Sequence, residues 1–203
     1  NAQVYRDKAY GAELAFRIQQ LDNVKTEAGR VAIRFEDDTV VRVMDHSKLV
    51  INSYVYDPNP KKSEMALRFA SGTARFVTGK FNNKKKIKIS TPSADVFVLG
   101  TDFTITTTPE TGSSLVILLP DKYGNSSGEI SVETAAGQVI LNQPYQATTT
   151  STFNSAPTKP VTLDITLDLI DNMLIVNPPK ERDDIFRQEA QQSSADYLDF
   201  SDL

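Results

Sequence analysis

The sequence predicts an all-β fold, a stack of β-hairpins with a short N-terminal helix or arm in front and an acidic C-terminal extension behind. Three observations carry this expectation. From Gly29 onward apolar residues recur with a period of two, as in half-buried strands. Four turn signals, Asp38-Thr39, Gly72-Thr73, Gly100-Thr101 and Gly137-Gln138, are each followed by an apolar-rich run. The runs Val96–Leu99 and Leu115–Leu119 are apolar on both faces, which suits central strands. The intervals between the turns, 34, 28 and 37 residues, are too irregular for a strict solenoid. Units of variable length that bury their faces against neighbours remain consistent with them.

In chain order, residues 4–21 place Tyr10, Leu14, Ile18 and Leu21 at helical spacing, with Gly11 as a weak point, so 1–28 reads as a helical or arm segment, with a strand at the end of the 4–21 stretch as the alternative. Val31, Ile33 and Phe35 then alternate with Ala32 and Arg34, and Asp37-Asp38 turns the chain into Val41 and Val43. Leu67 and Phe69 lead to Ser71-Gly72, Ile87 and Ile89 to Thr91-Pro92, and Ile130 and Val132 to Ala136-Gly137; each pair precedes a further β-rich run. Residues 29–146 form the expected β domain. The Ser/Thr/Pro-rich stretch 147–160 reads as a linker. Beyond it, Val161, Leu163, Ile165, Leu167 and Leu169 alternate with Thr and Asp, so 161–203 reads as one strand, a break at Asn177–Lys180 and an acidic tail with a short helix.

Composition removes several functions. The 203 residues include no Cys and a single His, which excludes thiol catalysis, disulfide frameworks and Cys-ligated zinc. A chain of this length buries a core without such staples. No apolar run approaches the roughly 18 residues that span a bilayer. The chain opens at Asn1 with no basic-then-apolar leader, which reads as a processed or excerpted start. Net charge is −4, but residues 1–100 hold 17 Lys/Arg against 11 Asp/Glu, while 101–203 hold 5 against 15. That polarity is an argument about partners and association.

No candidate site assembles a catalytic constellation. His46 lies between Asp45 and Ser47, yet strand neighbours point to opposite faces and no Gly-x-Ser-x-Gly elbow exists, so a solvated turn histidine is the expectation. Glu36, Asp37 and Asp38 read as a hairpin turn before they read as a paired-acid or Ca²⁺ site. Asp164 and Asp168 share one strand face and Asp171 opposes them, again a structural arrangement. Lys80, Lys84, Lys85, Lys86 and Lys88 make the densest charge; with only Phe81 as a nearby aromatic platform and an acidic chain overall, nucleic acid is disfavoured against an acidic protein surface. Tyr197, Leu198, Phe200 and Leu203 place hydrophobic anchors among acids in the tail, a pattern suited to docking in a groove.

The run Ser90-Thr-Pro-Ser-Ala-Asp-Val-Phe-Val-Leu-Gly-Thr-Asp-Phe103 resembles the most recognisable motif of the FecR-domain family, with Thr91, Pro92, Gly100, Thr101 and Phe103 as its marked positions. Phe35–Arg42 resembles that family's Asp-Gly-Ser/Thr turn, with Asp38 where Gly is usual, and Ser71–Phe76 its Gly-containing middle hairpin. The likeness spans about residues 29–145 and implies an all-β, solenoid-like module. Its best-known members are periplasmic relays of iron-uptake signalling that carry an anti-sigma segment and a membrane span, neither of which this sequence shows. Gly128–Thr150 followed by Leu167–Glu181 is similar to FecR-domain proteins of tailed phages of marine cyanobacteria, and that likeness implies a virion component. The expectation is therefore a non-enzymatic structural or assembly protein without cofactors, located in a virion. Its partners would be further copies of itself and other particle or surface proteins. The alternative is a periplasmic or extracellular signal-relay or ligand-binding module.

Overall fold

The computed structural model describes residues 2–55, 64–79 and 87–166, and among these every regular element is a strand. In order they are β1 (Ala2–Tyr5), β2 (Ala9–Gly11), β3 (Asn23–Thr26), β4 (Val31–Arg34), β5 (Val40–Val43), β6 (Lys48–Val55), β7 (Glu64–Val77), β8 (Ile87–Ser90), β9 (Asp95–Leu99), β10 (Asp102–Thr107), β11 (Ser114–Leu118), β12 (Glu129–Thr134), β13 (Gly137–Leu141), β14 (Gln146–Thr150) and β15 (Val161–Thr162). All-β architecture is thus what the alternating pattern produced.

The pairing resolves into two layers. The first runs β2-β1-β3-β6-β7-β8-β9-β12-β13 and the second β4-β5-β7-β10-β11-β14-β15. Strand β7 belongs to both. Its residues 64–71 pair with β6, whereas 72–77 pair with β5 and β10. The change of layer falls at Gly72, whose φ of +92° is a conformation that side chains with a Cβ rarely adopt. Every ladder is antiparallel except β7–β8, which is parallel.

Period-two alternation explains the core. Leu49 and Ile51 of β6, Leu67 and Phe69 of β7, and Ile87 and Ile89 of β8 are buried together with Phe76, Phe103, Ile105, Val116 and Leu118 of the second layer in one apolar cluster. Phe76 sits at its centre: it meets Phe69 edge-on at 6.3 Å and stacks on Phe103 at 5.0 Å. Those geometries are the favoured ones for aromatic pairs.

The N-terminal helix expected over 4–21 is not formed; the segment contributes β1 and β2 and then an irregular passage back to β3. The helical spacing was fortuitous. Leu14 and Leu21, two of its four apolar positions, are 68% and 71% exposed. Ala15 and Leu21 have φ of 59° and 70°, which no right-handed helix tolerates. What fixes the segment instead is the alternation around buried Val4, which pairs with Val24, and an ion pair in which the Arg6 guanidinium grips both oxygens of the fully buried Asp22 at 2.7 and 2.8 Å. Burial alone would raise the Asp22 carboxyl, but Arg6 and the Gln19 N–H outweigh it and hold the group below the usual carboxylate range.

The linker expected over 147–160 also begins as sheet. Ala147, Thr148 and Thr150 of β14 are buried, because Thr is a good strand former whose hydroxyl finds partners; Thr148 donates to the Thr158 carbonyl at 2.7 Å. The strand expected from Val161 is present as Val161–Thr162 against β14, with Val161 55% exposed. Residues 167–203, and with them the expected short helix and tail, lie outside the described residues. The chain divides at Ile165 into one compact unit, Asn1–Ile165, and a second, Thr166–Leu203, of which only Thr166 is described.

Candidate functional site

The marked motif positions occupy structural roles at two places. Thr91 and Ser93 lie in the β8–β9 turn, where Ser93 donates to Ser114 at 2.9 Å, Ser114 donates to Thr91 at 3.0 Å, and Thr91 donates to the Ala94 carbonyl. Since each hydroxyl has one proton, Thr150 must donate to Ser93 at 2.8 Å and Thr107 to Ser114 at 3.0 Å. Five buried hydroxyls thus run in one direction and tie the β8–β9 turn of the first layer to β10, β11 and β14 of the second. Phe103 enters the aromatic stack described above. Thr101 shares backbone and hydroxyl hydrogen bonds with Thr78, and its own buried hydroxyl has no partner among the described residues.

The acidic turn is structural too. Asp37 is buried and accepts from the Thr39 N–H and hydroxyl, while the Gly79 N–H donates to the Thr39 hydroxyl at 3.0 Å. The turn backbone packs so closely on Gly79 that a Cβ there would stand 2.0 Å from the Asp37 carbonyl oxygen. Asp38, the departure from the family's glycine, takes φ 68°, a conformation Asp tolerates better than most residues, and accepts from Arg34 at 2.7 Å. Tyr54 closes the site: its hydroxyl donates to Asp37 at 3.4 Å and accepts from the Asp37 N–H, and burial with the adjacent carboxylate pushes its pKa to about 12.

The His46 neighbourhood separates too, but in a turn and not by strand alternation. His46 is exposed in the β5–β6 turn with φ 51°, whereas Ser47 is buried and its hydroxyl serves the Asp45 and Thr73 backbone. Asp164 is exposed beyond β15; Asp168 and Asp171 lie outside the described residues, as do Lys80, Lys84, Lys85, Lys86, Tyr197, Leu198, Phe200 and Leu203. No group of three or more His, Asp or Glu suited to a metal ion occurs among the described residues. Nor is any helix among them long and apolar enough to cross a membrane.

Lys88 is the one lysine of the basic stretch that is described, and it marks the surface best suited to contacts. Register aligns Lys88, Phe97, Ser131 and Ile140 in a row across the outer face of β8, β9, β12 and β13. The Lys88 ammonium lies 3.0 Å from Asp95 and 5.6 Å from the Phe97 ring centre. Beside this row Phe97, Leu99, Glu129, Ser131, Gln138 and Ile140 border a shallow depression of about 250 Å³. Leu99 is 47% exposed there. An apolar floor flanked by a cation and a carboxylate can hold a protein side chain. The run Val96–Leu99 does form a central strand, flanked by β8 and β12, but sequence reasoning missed that its Phe97 and Leu99 side is a surface.

The two-layered body and its two family turns define a class: an all-β module whose marked residues build the fold. The chain belongs to the FecR protein family, whose model matches residues 22–140. No curated protein matches the sequence. Two crystal structures of a candidate anti-sigma factor from Parabacteroides distasonis ATCC 8503, at 2.50 and 1.65 Å resolution, share the fold with TM-scores of 0.55 and 0.54 at 17% identity. The match covers 70% of this chain and 60% of theirs.

Proposed function

We propose that this protein is a non-catalytic, extracytoplasmic relay module that passes a regulatory signal through protein–protein contacts. The single observation that carries the reading is the FecR family match over residues 22–140, which contains both recognisable turns. The fold likeness to a candidate anti-sigma factor supports it. The contact residues assigned within this proposal are Lys84, Lys85, Lys86 and Lys88 on one side of the chain's charge division, and Tyr197, Leu198, Phe200 and Leu203 on the other. Opposite charge on two such regions favours oriented, salt-sensitive association.

A second reading is a repeated component of a larger particle such as a phage virion. The observation that favours it is the same division, 17 Lys/Arg against 11 Asp/Glu in residues 1–100 and 5 against 15 in the remainder, which suits head-to-tail contacts between copies. Cross-linking in the source cell, followed by fractionation, separates the two. Recovery in the envelope with a receptor or a sigma-factor regulator is the expected result. Recovery only in large sedimenting particles would transfer the assignment to the second reading.

A further inference from the structure

Four strands end the two layers among the described residues: β2, β4, β13 and β15. An edge strand offers unpaired N–H and C=O groups, and proteins ordinarily blunt it by shortness, charge or proline. Three of the four conform. β2 has three residues, β15 has two, and β4 carries Arg34, 75% exposed at its side chain. β13 does not: Gly137-Gln-Val-Ile-Leu141 has five residues, no charge, no proline, and two β-branched side chains.

The backbone of β13 is poised for a further strand. Its hairpin with β12 turns through Ala135-Ala136 and closes on the pair Thr134–Gly137. Because bonded residues alternate along an antiparallel strand, the N–H and C=O groups of Gln138 and Ile140 then point away from β12. Among the described residues neither makes a backbone bond beyond that ladder. Side chains lead to the same edge. The inward row Ile89, Val96, Val132, Val139 crosses the first layer, and Val139 alone among its members is not fully buried. The outward row ends at Ile140, beside the depression that Phe97 and Leu99 border. At the hairpin end the edge is already covered: the Ala135 N–H donates to the Phe153 carbonyl, and a Cβ at Gly137 would touch Ala156 at 3.6 Å. That leaves Gln138–Leu141.

We propose that this edge is a self-association surface, in which Gln138–Ile140 pairs antiparallel with the same segment of a second copy about a two-fold axis at Val139. Gln138 then faces the partner's Ile140, and each such pair exchanges both of its backbone hydrogen bonds. Val139 meets the partner's Val139 on the inward face, so the apolar row continues across the axis. A second copy fits because the segment is uncharged and thus complementary to itself. Among the described residues the acids of the adjoining strand, Glu129 and Glu133, stand one strand back on β12. Between copies they are three strand spacings apart, about 14 Å. That exceeds the Debye length of about 8 Å at physiological salt, so their repulsion is screened. This proposal is independent of the relay reading.

Light scattering on the full chain over a concentration series tests it, taken to about 1 mM, where even a weak contact is populated. The wild-type mass is expected to double. Gln138→Pro removes an outward N–H without breaking the β12 ladder, and Ile140→Lys puts a charge on the contact; both are expected to stay monomeric with unchanged circular dichroism. As the chain has no Cys, Val139→Cys places a lone thiol at the axis, where a directly opposed pair suits disulfide geometry, and mild oxidation should yield a covalent dimer. A wild-type mass that stays constant, as a strand from a different protein would leave it, overturns the proposal. So does a dimer that both variants retain, or one in which Val139→Cys stays uncrosslinked.

Discussion

Tyr54 shows how the family turn is held by individual groups. Its ring packs beside that of Phe35, with centres 4.9 Å apart, and its hydroxyl is hydrogen-bonded to Asp37 in both directions. The folded protein favours the protonated phenol, so its pKa rises from the ordinary 10 to about 12. The resulting stabilisation is complete below pH 10 and is lost as pH rises through the folded value near 12. Tyr54→Phe is expected to cost about 1 kcal/mol at neutral pH, the net worth of a hydrogen bond. It should also flatten the loss of stability above pH 10, which denaturation at a series of alkaline pH values will read. Equal alkaline sensitivity in both proteins would refute the assignment. The turn itself was legible in the sequence, since Asp37-Asp38 after an alternating run has few other uses. Tyr54 as its closing partner was not, because it lies 17 residues from Asp37 and only the fold brings them together.

Elements were legible where alternation met a turn residue and illegible where another periodicity imitated it. The hairpins at Asp38 and before Gly137 followed from that combination. The N-terminal segment did not, because residues four apart lie on one face of a helix and also share a face of a strand. Its strand character comes from pairing with β3 and from the Arg6–Asp22 contact, which are tertiary facts. β7 was likewise seen as a strand running into a Gly-Thr turn, whereas Gly72 carries the strand from one layer into the other. A Cβ at Gly72 would lie 2.1 Å from the Ser47 hydroxyl and 2.6 Å from its Cα, and φ there is +92°. Gly72→Ala is therefore expected to cost at least the roughly 1–3 kcal/mol of an unfavourable backbone conformation. Combining it with Ser47→Ala should give no rescue, since the overlap includes backbone. Chemical denaturation of both variants measures this, and full recovery in the double variant would show the side chain alone to be at fault.

At the scale of the molecule, the layers share one strand and one apolar cluster, so they should lose structure together. Phe76→Ala, at the junction of Phe69 and Phe103, is expected to cost about 3–5 kcal/mol. It should lower amide protection by a similar amount in β6 of the first layer and β11 of the second. Hydrogen exchange that fell in one layer only would mean the layers open separately. The charge division is the whole-molecule feature that sequence counting located least well: of the 17 basic residues in the first hundred, Lys61, Lys62, Lys80, Lys84, Lys85 and Lys86 lie outside the described residues, and the described residues of that half are nearly balanced, 11 Lys/Arg against 10 Asp/Glu. Charge counts sum over a segment and are blind to which side chains the fold spends in pairs such as Arg75–Asp102. The directed chain of hydroxyls from Thr150 to Ala94 adds a property of another kind. It holds no ion, so neither counterions nor any acid or base in the ordinary range of natural waters changes its charge, and this hydroxyl link between the layers lacks the salt sensitivity that an ion pair in its place would have.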